Sequence, residues 1–276
     1  MIKIDNIPKA LLGLTAVVLA ALMAGCGGST SSGSTGGELG ATGAVCSGSA
    51  CVNLGKSGNY VILAQTGVST VPNSVLTGNV GLSPAARGFL TGWSLITEPT
   101  DTSFGSAQVT GRLVAADQVG GTTAVNLTTA VGDMGTAYTA AAGLAPAGGG
   151  LATACPGTGS FGGLTIAAGV YTCTPQVLIP AGTNVVLNGS ATDVWVFRMA
   201  AGLDQASATQ VQLSGGALAK NVFWQSAATV TIGSTAVMQG VILAKTNIVL
   251  GTGARVNGRL LAQTAVTLDQ STVTQP

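Results

Sequence analysis

The sequence predicts an all-β fold with one long helix, organised as a three-sided β-solenoid with the α-helix along its flank. Three observations predict it: a composition of small and β-branched residues, a repeat of eighteen residues, and one stretch where the apolar spacing becomes helical. Of 276 residues, 42 are Gly and 35 are Thr, while aromatic residues make up only 4%. That mixture suits short stacked strands with tight corners, whereas a helical bundle would be rich in Glu, Lys, Arg and Leu.

Charged residues are 7% of the chain, against about 25% in an ordinary soluble domain. Ten basic and nine acidic residues leave a net charge of +1, too little to steer a charged partner, so no nucleic acid is expected to bind. There is no His, and Asp193, Asp204 and Asp269 stand far apart. Most hydrolytic and metal mechanisms lose their usual residues, and neither cofactor nor metal is expected.

The first 25 residues read as a signal peptide. Lys3 and Lys9 precede an apolar run from Ala10 to Gly25, shorter than the roughly 20 residues of a membrane-spanning helix. The run ends Leu22-Met23-Ala24-Gly25-Cys26, which resembles a bacterial lipoprotein lipobox. That resemblance implies cleavage before Cys26 and lipidation of its thiol, with Gly27 after it pointing to the outer membrane. Residues 26–45 are rich in Gly, Ser and Thr, a flexible tether that cannot bury a core. The expected product is an exported protein, attached to the outer membrane or cell surface only through Cys26, or released extracellularly.

Residues 46–276 form the folded domain. Four cysteines remain there, and an oxidising compartment favours disulfides. The near pairs are Cys46 with Cys51 and Cys155 with Cys173, although four cysteines allow three connectivities. A four-thiolate metal site would want two close C-x-x-C pairs, and neither spacing fits.

The repeat is clearest at the C-terminal end. Leu243-Ala-Lys-Thr-Asn-Ile-Val-Leu250 and Leu261-Ala-Gln-Thr-Ala-Val-Thr-Leu268 are offset by eighteen residues, and Leu63-Ala-Gln-Thr-Gly-Val-Ser-Thr70 is the same unit far upstream. A looser copy starts at Phe223. Such a period, with three short alternating stretches, is one turn of a three-sided solenoid whose coils bury their apolar faces by stacking. Alternation points Val230/Ile232, Ile248/Leu250 and Val266/Leu268 inward, with Thr229, Thr231, Asn247 and Thr267 outward and Thr246 and Thr264 at the corner before. On the preceding side Ile242/Ala244 and Leu260/Ala262 point in. That leaves Phe223, Leu243 and Leu261 as an outward apolar stripe requiring cover. On the third side Thr235/Val237, Gly253/Arg255 and Ser271/Val273 are expected to face outward.

The cover lies between Gly121 and Gly143, where Leu127, Val131, Met134, Tyr138 and Ala141 follow helical spacing. Thr122 or Thr123 is a candidate cap, and the Gly-rich run after Gly143 stops the helix.

In combination and order, several motifs are distinctive: Thr77-Gly-Asn-Val-Gly-Leu-Ser-Pro84, the helix, Phe161-Gly-Gly-Leu-Thr-Ile, Asp193-Val-Trp-Val-Phe197, Asn221-Val-Phe-Trp-Gln225 and the two final repeats. From about residue 50 to 275 the chain resembles the bacterial and fungal ice-binding proteins. The resemblance implies a right-handed, discontinuous β-helix and a flat strand-built face that binds an ice crystal surface. Some members carry a Thr-Ala/Gly-x-Thr/Asn pattern on that face. Thr264-Ala265-Val266-Thr267 fits it fully, Thr66-Gly67-Val68-Ser69 and Ala228-Thr229-Val230-Thr231 nearly, while Thr246-Asn247-Ile248-Val249 and Ala201-Gly202-Leu203-Asp204 depart from it. The expected ice-binding residues are therefore Thr66, Ser69, Thr229, Thr231, Thr246, Asn247, Thr264 and Thr267, in a monomer without catalytic residues. The third side, interrupted by Arg255, is the runner-up surface. Rival readings are an adhesin or glycan-binding scaffold on the same face and, with less support, a polysaccharide-active enzyme.

Mass spectrometry of the native protein is expected to show an acylated N-terminal Cys26; a free N-terminus elsewhere would exclude the lipoprotein reading.

Overall fold

A computed structural model of the chain describes residues 51–145 and 152–276. The expected signal peptide, Cys26, the expected tether and Cys46, and with it the expected Cys46–Cys51 pair, lie outside the described residues, as does the Gly-rich stretch after the helix.

The fold is mostly β with one helix. Among the described residues the strands form sheets of thirteen, seven and three, and the pairings are parallel except around one hairpin, Ile96–Thr97 with Phe104–Ser106 and on to Val109–Ala115. The eighteen-residue repeat is the stacking period: Val237 to Ala244 lies in continuous register with Arg255 to Ala262. The strand order is not the chain order. Gly67–Val71 pairs with Ala265–Asp269, and Tyr60–Ala64 with Arg255–Ala262, so the first turn of the domain sits on its last.

Side-chain alternation divides the interior into two cores. Ile62, Ala64, Ile242, Ala244, Leu260 and Ala262 point into the first, with Val230, Ile232, Ile248, Leu250, Val266 and Leu268 facing them. Aromatic rings fill one end: Phe197 and Trp224 stack with centroids 4.3 Å apart, and Phe161 lies 5.3 Å from Phe197. The alternate residues Leu63, Phe223, Leu243 and Leu261 point out of that core and into the second, beneath the helix Thr123–Gly143. The expected cover is therefore correct, with an adjustment in the helix face. Ala130 and Ala137 are buried at its centre, whereas Val131 and Tyr138 are only partly buried at its flank; small side chains let the helix approach the sheet closely.

Both helix ends find partners other than the expected ones. Thr122 is the N-cap residue but makes no side-chain cap bond; its hydroxyl accepts from Asn126 Nδ2 at 3.0 Å, and the Thr123 hydroxyl donates to the Thr102 carbonyl. At the C-terminus Arg198 reaches over from the sheet and donates to the Ala142 and Leu144 carbonyls at 3.3 and 3.1 Å, serving carbonyls that the helix leaves unpaired.

Glycines meet in register within the long strands Val237–Ala244 and Arg255–Ala262. Gly240 (φ 112°) pairs with Gly258, and a Cβ on Gly258 would sit 1.8 Å from the Gly240 carbonyl oxygen. Cys155 and Cys173 are joined as expected, with Cα atoms 4.6 Å apart.

The residues expected to face outward on a third side require a correction. Thr235, Val237, Gly253 and Arg255 do face outward, but Ser271 and Val273 are buried. Arg255 pairs with Val237 eighteen residues before it but with Thr272 only seventeen after it. One residue fewer in the last coil reverses the alternation, so Thr272 and Thr274 take the outside. Ser271 then donates inward to the Gly251 and Asp269 carbonyls, and its N–H donates to Ser74 Oγ at 3.0 Å.

Beyond the stacked coils, Arg87 ties residues 87–119 together. Its guanidinium donates to Asp101 at 3.1 Å and Asp117 at 2.8 Å and lies 4.9 Å from the Phe104 ring centroid. The Arg87 hydrogen bond and the Val119 N–H hold the Asp101 carboxyl below its usual range. Burial pushes Asp117 up, but the backbone N–H and guanidinium of Arg87 outweigh it and hold that carboxyl low as well.

Two outcomes follow from this packing. Leu261→Ala, which opens a hole under the helix, is expected to cost about 2–5 kcal/mol in urea unfolding, whereas Thr267→Ala on the surface should stay within about 0.5 kcal/mol. Because both carboxyls are depressed in the folded state, their contribution is complete above the unfolded value near about 3.9 and is lost as pH falls through the folded values. Amide exchange of residues 87–119, corrected for intrinsic rates, should therefore rise between pH 5 and pH 2 before exchange in the stacked coils does.

Candidate functional site

With one side of the strands turned to the inner core and the helix covering a second sheet, the seven-stranded sheet presents its outer surface to solvent. Its strands, in spatial order, are Val177–Ile179, Leu203–Gln205, Val230–Ile232, Ile248–Leu250, Ala265–Asp269, Gly67–Val71 and Leu90–Thr91. Each strand buries alternate residues, such as Val230 and Ile232 or Val266 and Leu268. The intervening ones align across the strands. The central row runs Leu178, Asp204, Thr231, Val249, Thr267, Ser69 and Thr91, each directly paired with the next.

Two residues earlier on each strand lies a second row with Gly202, Thr229, Asn247, Ala265, Gly67 and Phe89, and one residue earlier again the corner with Thr246, Thr264 and Thr66. All eight expected residues are exposed or half-buried on this sheet and its corner. Several touch: Ser69 Oγ donates to Thr267 Oγ1 at 3.3 Å, the Thr229 and Thr246 hydroxyls are 3.4 Å apart, and the Thr264 hydroxyl donates to Asn247 Oδ1. Thr231 is not beside Thr267; Val249 stands between them.

The sequence repeat missed Thr91, which extends the central row past Ser69. Its strand is two residues long, too short for alternation to register, and no copy of the repeat contains it. Leu178 at the opposite end was missed for the same reason, since Val177–Ile179 also lies outside the repeat.

The surface geometry is rigid. Neighbouring strands lie about 4.7–4.9 Å apart and alternate residues of one strand about 6.6–6.8 Å apart, and β-branched Thr is stiff about χ1. Gly202 permits close contact between coils, as a Cβ there would be 2.3 Å from the Thr229 carbonyl oxygen. Charge is displaced from most of the surface. At the corner, Lys245 Nζ donates to Gln263 Oε1 at 2.8 Å and lies 5.9 Å from the Tyr138 ring, drawn toward the helix. At the other margin Asp269 accepts from the Thr252 hydroxyl. Asp204 alone stands in the central row.

The groups whose ionisation burial alters most lie elsewhere. Tyr60, beneath the helix, is pushed up to about 12 and Arg259 down to about 10 by burial. Among the described residues no group of three His, Cys, Asp or Glu side chains could hold a metal ion.

A mostly parallel β fold with one flanking helix and a hydroxyl-rich sheet surface places the chain in a recognisable class. The family model described as Ice-binding-like matches residues 62–274, and the chain belongs to that family. It is 44% identical over 230 residues to an ice-binding protein of Flavobacterium frigoris (strain PS1), covering 82% of this chain and 76% of that protein. It is 41% identical to an ice-binding protein of a Colwellia species, covering 87% and 90%, and 47% identical to ice-binding protein K3-B1 of Typhula ishikariensis, covering 72% and 79%. Among solved structures, an ice-binding protein from Arctic yeast superposes with a TM-score of 0.78 at 38% identity, over 83% of this chain and 96% of that one. The DUF3494 domain of a Shewanella frigidimarina ice-binding protein superposes with a TM-score of 0.73 at 26% identity, over 80% and 96%.

Proposed function

We propose that this protein binds ice through the outer surface of the seven-stranded sheet, acting as an antifreeze protein and an inhibitor of ice recrystallisation. The observation that carries the reading is the in-register grid containing Thr229, Thr231, Asn247, Thr264, Thr267, Thr66 and Ser69, in a chain 41–47% identical to ice-binding proteins. A grid of fixed hydroxyls and methyls can hold one layer of water with little further entropy lost on freezing. Crystalline order in the adjoining layer then costs less than at an ordinary hydrated surface.

Around this site we read a three-sided, right-handed solenoid. Its support is the stepwise parallel registers of the three sheets, and the right hand of parallel crossovers in about 98% of cases. We read the chain as a monomer without catalytic activity. Export and a lipid anchor at Cys26 remain the reading that Lys3, Lys9, the apolar run and the lipobox-like residues support.

Thermal hysteresis tests the site. Thr267→Tyr and Thr231→Lys should each abolish it with the circular dichroism unchanged, because both side chains project to solvent. Thr272→Tyr, on the third side, should leave it intact. If the first two keep full activity and the third loses it, the wrong surface has been chosen.

A further inference from the structure

The central row changes character at one position. From Thr231 through Val249, Thr267 and Ser69 to Thr91 it is uncharged; the next member is Asp204, and beyond it lies Leu178. Register fixes Asp204 there, paired with Leu178 on one side and Thr231 on the other. Its chain neighbours Leu203 and Gln205 are fully buried, and Gln205 Nε2 donates to the Thr209 and Val237 carbonyls, both at 3.1 Å. The strand therefore cannot turn the carboxylate off the surface. Among the described residues the ion pairs are Arg87 with Asp101 and Asp117, and Arg112 with Glu98; Asp204 has no such partner and is exposed.

Its situation differs from that of the other charges near this surface. Lys245 has a long stem that carries its ammonium toward Tyr138 and Gln263, and Asp269 receives a hydroxyl at the margin. Asp204 has one methylene and no comparable outlet. A carboxylate keeps a tightly held hydration shell, and covering it with a lattice that accommodates no ion costs far more than covering a hydroxyl.

We propose that Asp204 ends the ice-matched area, so that five of the seven strands, from Val230–Ile232 to Leu90–Thr91, engage the crystal, and that this residue sets the level of activity. The proposal rests on the assignment of ice binding to this surface. Leu178 and Gln176 then lie beyond the boundary and contribute nothing while the carboxylate remains.

The test compares thermal hysteresis of the purified protein with that of Asp204→Thr, Asp204→Asn, Asp204→Lys and Thr267→Tyr at equal concentrations, folding being checked by circular dichroism. Removing the charge with Asp204→Thr should raise activity about two-fold, since an unpaired carboxylate no longer opposes adsorption. Asp204→Asn should fall between that variant and the parent, and Asp204→Lys should not exceed the parent. If Asp204→Thr equals or falls below the parent while Thr267→Tyr loses activity, the surface is right and Asp204 is not its limit. If Thr267→Tyr keeps full activity, the surface assignment fails and this proposal with it. Should Asp204→Thr not fold, the near-isosteric Asp204→Asn decides, and activity equal to the parent overturns the proposal.

Discussion

The parallel pairing of Gly67–Val71 with Ala265–Asp269 is the contact on which the rest depends. It joins segments about two hundred residues apart, Ser69 and Thr267 being separated by 198. Together with the pairings of Tyr60–Ala64 with Arg255–Ala262 and of Val75–Thr77 with Thr272–Thr274, it places Thr66, Ser69 and Thr91 on the same surface as Thr267. The seam is reinforced from inside: Thr70 donates to Ser74 Oγ at 2.6 Å, and Ser74 Oγ accepts from the Ser271 N–H. It is reinforced again at the corner, where the Gln65 and Thr66 N–H groups share the Thr264 carbonyl. Contacts of such long sequence separation form only after much loop entropy has been lost, so the surface is complete only once the first turn has docked on the last.

The second core follows from the same stacking. A strand between two apolar environments must be apolar on both faces, and Tyr60–Ala64 is buried throughout, as are Val241 to Ala244 and Leu260 to Ala262. Those runs lie under the helix, whereas the strands of the seven-stranded sheet alternate buried with exposed. Buried runs on one side and alternation on the other thus distinguish a covered sheet from an open one. Arg198 matters here because it fastens the far end of the helix to the sheet it covers.

How much of this was legible depends on how often the pattern recurs. The coils at 243–250 and 261–268 are near copies, so their inward and outward residues could be assigned from alternation, and so could the stripe of Leu243 and Leu261 that called for a cover. Ser271 and Val273 were misassigned because the repeat continued one coil too far; a single missing residue there is nearly invisible in sequence and reverses every side chain after it. Thr91 and Leu178 were illegible because no copy of the repeat contains them, and the two-residue strand of Thr91 is in addition too short to show alternation. The placement of Val131 and Tyr138 at the helix flank reflects another blind spot: helical spacing identifies a stripe, but the fully buried positions beside Leu127, Met134 and Ala141 go to Ala130 and Ala137, which hydrophobicity alone ranks below Val131 and Tyr138.

What makes the open sheet a surface for an ordered solid rather than an ordinary hydrated one is the coincidence of rigidity with the routing of charge. Rigidity alone is common to stacked strands. Here the strands beneath Thr231 and Thr267 are anchored by fully buried neighbours, and the lysine at the corner places its ammonium between Gln263 of the sheet and the Tyr138 ring of the helix. The helix therefore has two consequences for the site: it covers the apolar sheet, leaving the other exposed, and through Tyr138 it draws a cation off the edge of the hydroxyl grid. Tyr138, at the flank of the helix, both packs against the second core and brings its ring to 5.9 Å from the Lys245 ammonium. A residue at the centre of the stripe could not reach Lys245, and a smaller one at the flank would offer the ammonium no π face.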